Sequence, residues 1–199
     1  MTERLRVLTA AFGLSSVTIF LVTFAVFAFL RPDFDVFADF ISGLGSRGQP
    51  FAVWWNGIGF AAVGLCLAAF GWLYGLCRQD RLLGVCLVVA GLGFALAAIP
   101  TDPLNKQGVH SKAHFLSVCL SLAGFSLGLA RLSGPRASRW ERTSANWVIV
   151  LTLVPVICVP GGISAEPLAH RIILLVVFGW VVTVSCRLLN TEPNTEVAQ

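Results

Sequence analysis

The residues best suited to chemistry in this sequence are its three histidines, which stand in two patterns of i, i+4 spacing. His110 and His114 form an H-x-x-x-H pair, and Glu166 precedes His170 by four residues. On a helix, residues four apart are neighbours on one face. Two imidazoles so placed can share a metal ion, and an imidazole and a carboxylate from a second helix would complete a zinc site. The spacing therefore predicts a zinc site formed by His110, His114, His170 and Glu166.

Two further residues fit hydrolytic chemistry beside such an ion. Asp102 lies between Pro100 and Pro103, which restrict the local backbone, so its carboxylate can act as a general base or orient an imidazole. Ser42 precedes Gly43, and its hydroxyl can stabilise an oxyanion. We therefore expect catalytic roles for Ser42 and Asp102. A structural alternative stays open, because serine is common in turns and histidine suits the membrane interface.

The composition shows which class of protein must position these residues. Of 199 residues, 56% are hydrophobic and 12% are charged, against about 45–50% and about 25% in soluble domains. A soluble globular domain is therefore excluded. The net charge of +4 is spread along the chain, so we expect no nucleic-acid partner, since that requires a clustered basic face. The six cysteines occur singly and are interpreted as packing residues.

Apolar stretches predict six membrane-spanning helices, because one span takes about 20 mainly apolar residues. The expected fold class is an all-α, polytopic bundle of transmembrane helices. We expect a single domain over residues 1–189, followed by a disordered cytoplasmic tail over residues 190–199. A short interfacial helix is also predicted between residues 33 and 45, where apolar residues recur at helical spacing. The predicted spans are residues 7–30, 51–77, 82–100, 113–131, 144–160 and 168–188.

The basic residues predict the orientation of these spans. With both termini in the cytoplasm, nine of the 14 Lys and Arg residues lie on the cytoplasmic side, as the positive-inside rule requires. This orientation places His110, His114 and His170 together at the outer end of the bundle. The expected location is therefore the plasma or inner membrane, with the interfacial helix covering the outer mouth.

Several motifs, taken in order, resemble those of a known family. The motifs are Asp39-Phe-Ile-Ser-Gly-Leu-Gly45, Asn56, Pro100-Thr-Asp102 and His110-x-x-x-His114. They are similar to the pattern of a family of bacterial and archaeal six-helix membrane proteins, catalogued as domain of unknown function 998. The likeness covers nearly the whole chain. It implies the six-helix fold and names no substrate.

The residue types of the predicted site also resemble a second group. This is the superfamily of intramembrane metal-dependent hydrolases that includes alkaline ceramidases and the adiponectin receptor group. Its members place a Ser, an Asp and three His around zinc in a helical bundle. The likeness is one of chemistry, and it implies zinc-dependent cleavage of lipid amides or esters. The residues that carry it here are Ser42, Asp102, His110, His114 and His170.

Three functions remain open on the sequence alone. One is a zinc-dependent hydrolase of lipid amides or esters, with membrane lipids as partners. Another is a non-enzymatic protein that binds or transports a lipid or a small hydrophobic or cationic molecule, with an acidic outer mouth that attracts a cation. A third is a haem or electron carrier with His114 and His170 as axial ligands. The substrate, the metal and the oligomeric state stay open.

Overall fold

The structure, a computed structural model, describes residues 2–134, 137–158 and 166–190, and within these ranges the chain forms helices joined by loops. These residues contain six long helices and no strand, which confirms the all-α class. A short 3-10 helix, Ile41–Gly45, lies between the first two long helices. The long helices are α1 Glu3–Phe29, α2 Ala52–Cys77, α3 Arg81–Leu96, α4 Val109–Leu132, α5 Arg139–Cys158 and α6 Glu166–Asn190.

Four of these helices, α1, α2, α4 and α6, are long and apolar enough to cross a membrane. Helix α3 is apolar but has 16 residues, which rise about 24 Å against a hydrocarbon core of about 30 Å. Helix α5 carries Arg139, Glu141 and Arg142 in its first turn. The fold is therefore that of a helical membrane protein, and the predicted count of six transmembrane helices is not confirmed.

The surface of the bundle carries many large, exposed apolar side chains, which is unusual for a soluble protein. Val22 on α1, Phe115 and Leu116 on α4, and Leu175 on α6 are all more than half exposed. Helices that are apolar on every side either fill a large core or face lipid. Because these side chains point out of the bundle, lipid is the environment that they fit.

Helix α3 sits in close contact with both α2 and α4. A Cβ placed on Gly91 would collide with the backbone of Ala68 on α2, and one placed on Gly93 would collide with the backbone of Ser121 on α4. Small residues allow helix backbones to approach where lipid gives no hydrophobic drive to association. These contacts fix the spacing of α2, α3 and α4.

The two ends of the bundle differ in how they are held. At the end that carries the start of α1 and the end of α6, which we call the terminal end, the buried carboxylate of Glu141 accepts a hydrogen bond from Tyr74 Oη (3.2 Å) and pairs with Arg78 (3.0 Å). At the opposite end, the loop end, segments 30–51 and 97–108 meet the start of α6. There the Arg47 amide donates to the Thr101 carbonyl (2.9 Å).

The interfacial helix predicted between residues 33 and 45 is present only as the 3-10 helix Ile41–Gly45. Upstream of it, the Asp35 carboxylate accepts the backbone amides of Phe37 (2.7 Å) and Ala38 (2.9 Å). These bonds hold the pKa of Asp35 below its ordinary value. An aspartate that captures the amides ahead of it favours a turn over a helix. Of the predicted C-terminal tail, residues 191–199 lie outside the described residues.

Candidate functional site

A polar cavity of about 830 Å³ lies at the loop end. It is bounded by the loop after α1, the loop after α3, and the first turns of α4 and α6. Four carboxylates and two cationic side chains line it, so a ligand would meet charges of both signs there. The charged residues that line it are Asp33, Asp39, Asp102, Glu166, Arg31 and Lys106.

An apolar slot of about 110 Å³ lies deeper in the bundle, between α2, α3, α4 and α6. Phe60, Phe94, Val118 and Leu174 are typical of its walls. Phe60 belongs to the stretch Trp55–Ala62 of α2, which is wound as a π-helix. Such wide turns are often found at functional sites.

The polar cavity and the apolar slot meet at a junction formed by Ser42, His114, Val118 and His170, because these four residues line both spaces. The change from charged to apolar lining therefore takes place across one layer of side chains. Two of the three histidines, and the serine predicted to be catalytic, stand in this layer.

His114 is buried and its ring is held in place by the end of α3. Its Nδ1 lies 3.1 Å from the carbonyl oxygen of Ile99. A carbonyl only accepts, so Nδ1 donates in this bond, and the Nε2 of the neutral ring keeps its lone pair. Pro103 has no amide to offer to that carbonyl four residues earlier. The imidazole therefore satisfies a backbone group that the prolines leave free.

His170 lies in the second turn of α6, and its ring stands 6.3 Å from that of Phe40. Its Nδ1 is buried and has no hydrogen-bond partner among the described residues. Buried polar atoms are nearly always bonded, so an exception in a cavity wall indicates a group that a bound molecule can satisfy.

Arg31 lines the polar cavity and shows the same feature. Its Nε and Nη2 donate to the two carboxylate oxygens of Asp33, at 2.9 and 2.6 Å. This pairing raises the pKa of Arg31 and lowers the pKa of Asp33. The side chain is only 9% exposed. Its remaining nitrogen, Nη1, is buried and has no hydrogen-bond partner in the described part of the chain. A charged donor is thus available to the cavity.

Ser42 is positioned by a loop that is tied on two sides. The Asn56 side chain on α2 donates to the Gly45 carbonyl (2.9 Å). The Ser46 and Thr101 hydroxyls lie 2.7 Å apart. The 3-10 helix that carries Ser42 is therefore attached both to α2 and to the loop after α3.

The model of a family described as Protein of unknown function (DUF998) matches residues 15–187 of the chain. The chain belongs to the DUF998 family. The match runs from α1 to the end of α6 and includes both loops of the polar cavity. No curated protein and no solved structure matches the chain. The first resemblance stated above is confirmed, and the likeness to alkaline ceramidases receives no support from these comparisons.

The DUF998 fold brings five of the six predicted site residues to the polar cavity. Ser42, Asp102, His114, Glu166 and His170 all line it. Asp102 faces backbone amides rather than an imidazole, because its Oδ1 accepts from Leu104 (3.0 Å) and Asn105 (3.2 Å) and its Oδ2 is 3.9 Å from Arg47.

His110 is the residue that the fold leaves apart. It is exposed in the first turn of α4 and lines neither the polar cavity nor the apolar slot. Within the described residues, no group of three or more His, Cys, Asp or Glu side chains is arranged to hold a metal ion. The arrangement thus does not fit the zinc site drawn from the sequence, and zinc or haem binding stays a prediction.

Sequence reasoning missed the apolar slot of this DUF998 protein. On α4, its lining residues His114, Val118, Ser121 and Phe125 follow one another at intervals of three or four, which is one face of a helix. The available signal was Ser121, a polar residue on the same face of α4 as His114. The arginine donor was also missed, because only the structure shows that Asp33 leaves one of its nitrogens unbonded.

Proposed function

We propose that this DUF998 protein binds an amphiphilic molecule, with the polar head in the polar cavity and a hydrocarbon chain in the apolar slot. The observation that carries the proposal is the shared junction of Ser42, His114, Val118 and His170. A purely polar or purely apolar ligand would leave one of the two spaces unmatched. An amphiphile matches both at once.

Two buried polar atoms support the position of the head. Arg31 Nη1 and His170 Nδ1 lack partners among the described residues, and both side chains line the polar cavity. Arg31 can donate to a phosphate, carboxylate or carbonyl oxygen, and charge-assisted bonds of this kind are the stronger ones. The acidic residues of the same cavity can receive a positive group, so a zwitterionic head suits the mixed lining.

The location of the ligand follows from the predicted orientation. If both termini are cytoplasmic, as the basic residues indicate, the polar cavity opens on the outer face of the membrane. The ligand then enters from the outer leaflet or from the outside. We propose membrane lipids or their breakdown products as its source.

Binding can be tested by photo-crosslinking in nanodiscs of dioleoylphosphatidylcholine. The probe is a lysophosphatidylcholine with a diazirine at the end of its chain. We expect labelled peptides from the slot face of α4 and α6. Val118→Phe should fill the junction and lower labelling, whereas Leu116→Phe, on the exposed side of the same helix, should leave it unchanged.

The proposal would be contradicted if the labelled residues were those most exposed to the surrounding lipid and if Val118→Phe were labelled as much as the wild type. Both variants should first show wild-type thermal unfolding. This control separates a blocked site from a misfolded protein.

Hydrolysis of the bound amphiphile is the second candidate function. It is favoured because Ser42, His114 and His170 line the same junction, where the bond between head and chain would lie. The Nε2 lone pair of His114 is suited to accept a proton. Incubation with lipid esters and amides tests this function: release of a free chain that is lost in both Ser42→Ala and His114→Ala would support it, and binding without turnover would exclude it for those substrates.

A further inference from the structure

The apolar slot is closed at its deep end by aromatic rings. Phe70 and Phe125 line it there, and both are almost fully buried. Trp180 lies behind them, with its ring edge-on to Phe70 at 6.3 Å and to Phe125 at 5.6 Å. A chain that enters from the junction therefore stops at this layer, which we call the floor.

The distance from the junction to the floor can be counted along two helices. On α4 it runs from His114 to Phe125, and on α6 from His170 to Val181, so both paths cover 11 residues. At about 1.5 Å per residue the slot is about 16 Å deep. An extended chain advances about 1.2 Å per bond, so about 13 carbons is the upper limit.

The volume gives a second, independent measure. Each water-sized group needs roughly 10–15 Å³ of volume measured with a water-sized probe. The slot offers about 110 Å³, which is room for roughly seven to eleven such groups. A methylene group is close to water in size, so the slot holds a single row of carbons and no second chain beside it.

We infer that the apolar slot accepts one hydrocarbon chain and limits its length to about 8–12 carbons. The ligand is then a medium-chain amphiphile, shorter than the chains of ordinary membrane lipids. This inference rests on the proposed function, because it assumes that the slot is where the chain binds.

The expected dependence on chain length follows from competition with the bilayer. A methylene group is as well buried in the slot as among lipid tails, so chains that fit should bind about equally at equal mole fraction in the membrane. Each carbon that the floor excludes must leave an apolar environment. That should lower occupancy by up to about four-fold per carbon.

The test is native mass spectrometry of the full chain released from dioleoylphosphatidylcholine nanodiscs. The probes are saturated lysophosphatidylcholines with chains of eight to eighteen carbons, compared at equal mole fraction in the nanodisc. Occupancy should be level for the short chains and fall steeply above about twelve carbons.

Two variants should move this limit in opposite directions. Phe125→Ala removes part of the floor and should extend the limit to longer chains, with Phe125→Leu as a milder form of the change. Ser121→Phe fills the slot seven residues below His114, at a depth of about 10 Å. It should lower the chain-length limit to about eight carbons. Leu127→Ala, an exposed position on the same helix, should leave it unchanged.

The outcomes separate the two proposals. Equal occupancy by all chain lengths, or a limit that neither Phe125→Ala nor Ser121→Phe moves, overturns the chain-length inference and leaves amphiphile binding standing. Failure of every probe to occupy the wild-type protein refutes the proposed function itself, and the inference with it.

Discussion

A glycine at the contact between α3 and α4 provides the sharpest test of the fold that forms the slot. A Cβ built on Gly93 would lie 2.5 Å from the backbone nitrogen of Ser121 and 2.8 Å from its Cα. Backbone atoms cannot rotate away as a flexible side chain can. Gly93→Ala must therefore push the two helices apart, although alanine is the better helix former.

The size of the effect follows from overpacking. Adding a group to a close-packed contact typically costs about 1–3 kcal/mol. In a chain of this size, that corresponds to a midpoint of thermal unfolding lower by about 2–12 °C. Wider separation of α3 and α4 should also open the slot, so the fall in occupancy with chain length should become less steep.

The matched control is Gly179→Ala on α6, where nothing lies within 4 Å of an added Cβ. There alanine should be neutral or stabilise the helix by about 0.5–1 kcal/mol. Thermal unfolding of the wild type and both variants in the same detergent measures the difference. If the midpoint of thermal unfolding of Gly93→Ala equals that of Gly179→Ala and is not below that of the wild type, α3 and α4 do not make the contact described.

Three further variants test the polar groups. Arg31→Gln should reduce labelling by the lysophosphatidylcholine probe by about ten-fold or more, because a charge-assisted hydrogen bond contributes about 1.5–3 kcal/mol; labelling equal to the wild type would mean that Nη1 does not contact the head. His110→Ala should leave labelling within about two-fold of the wild type, whereas His114→Ala should reduce it by about ten-fold, as expected for loss of one hydrogen-bonding group in the site. Glu141→Gln should lower the free energy of unfolding by about 1–3 kcal/mol without changing the chain-length limit, because it weakens only the terminal end; an unchanged thermal midpoint would contradict this.

The positions of the helices could be predicted from sequence because apolar stretches and charged turns mark them directly. Each of the six predicted spans overlaps one helix of the structure, and the predicted 51–77 differs by one residue from α2, Ala52–Cys77. The short helix before α2 could not be placed in the same way. Its apolar spacing suits a longer helix, but the Asp35 side chain binds the amides of Phe37 and Ala38 and forms a turn instead.

The candidate site was harder to predict because spacing on one helix does not show where that helix faces. His110 and His114 lie on one side of α4, yet only His114 is deep enough to reach the junction. The slot itself depends on the rotation of α2, α3, α4 and α6 about their axes. Helices that are apolar on all sides carry little information about that rotation, whereas the close contacts at Gly91 and Gly93 restrict it for α2, α3 and α4.

The loop end is built in a way that favours selective binding over loose partition of lipid. The Ile99 carbonyl fixes the His114 ring, and Asp33 fixes two of the three guanidinium nitrogens of Arg31. The loop that carries Ser42 is held by the Asn56 side chain and by Thr101. Groups that are already oriented lose little freedom when a ligand arrives, so their hydrogen bonds contribute more to affinity. A head group that can bond to both Arg31 and His170 should therefore be distinguished from one that fills the polar cavity without reaching them.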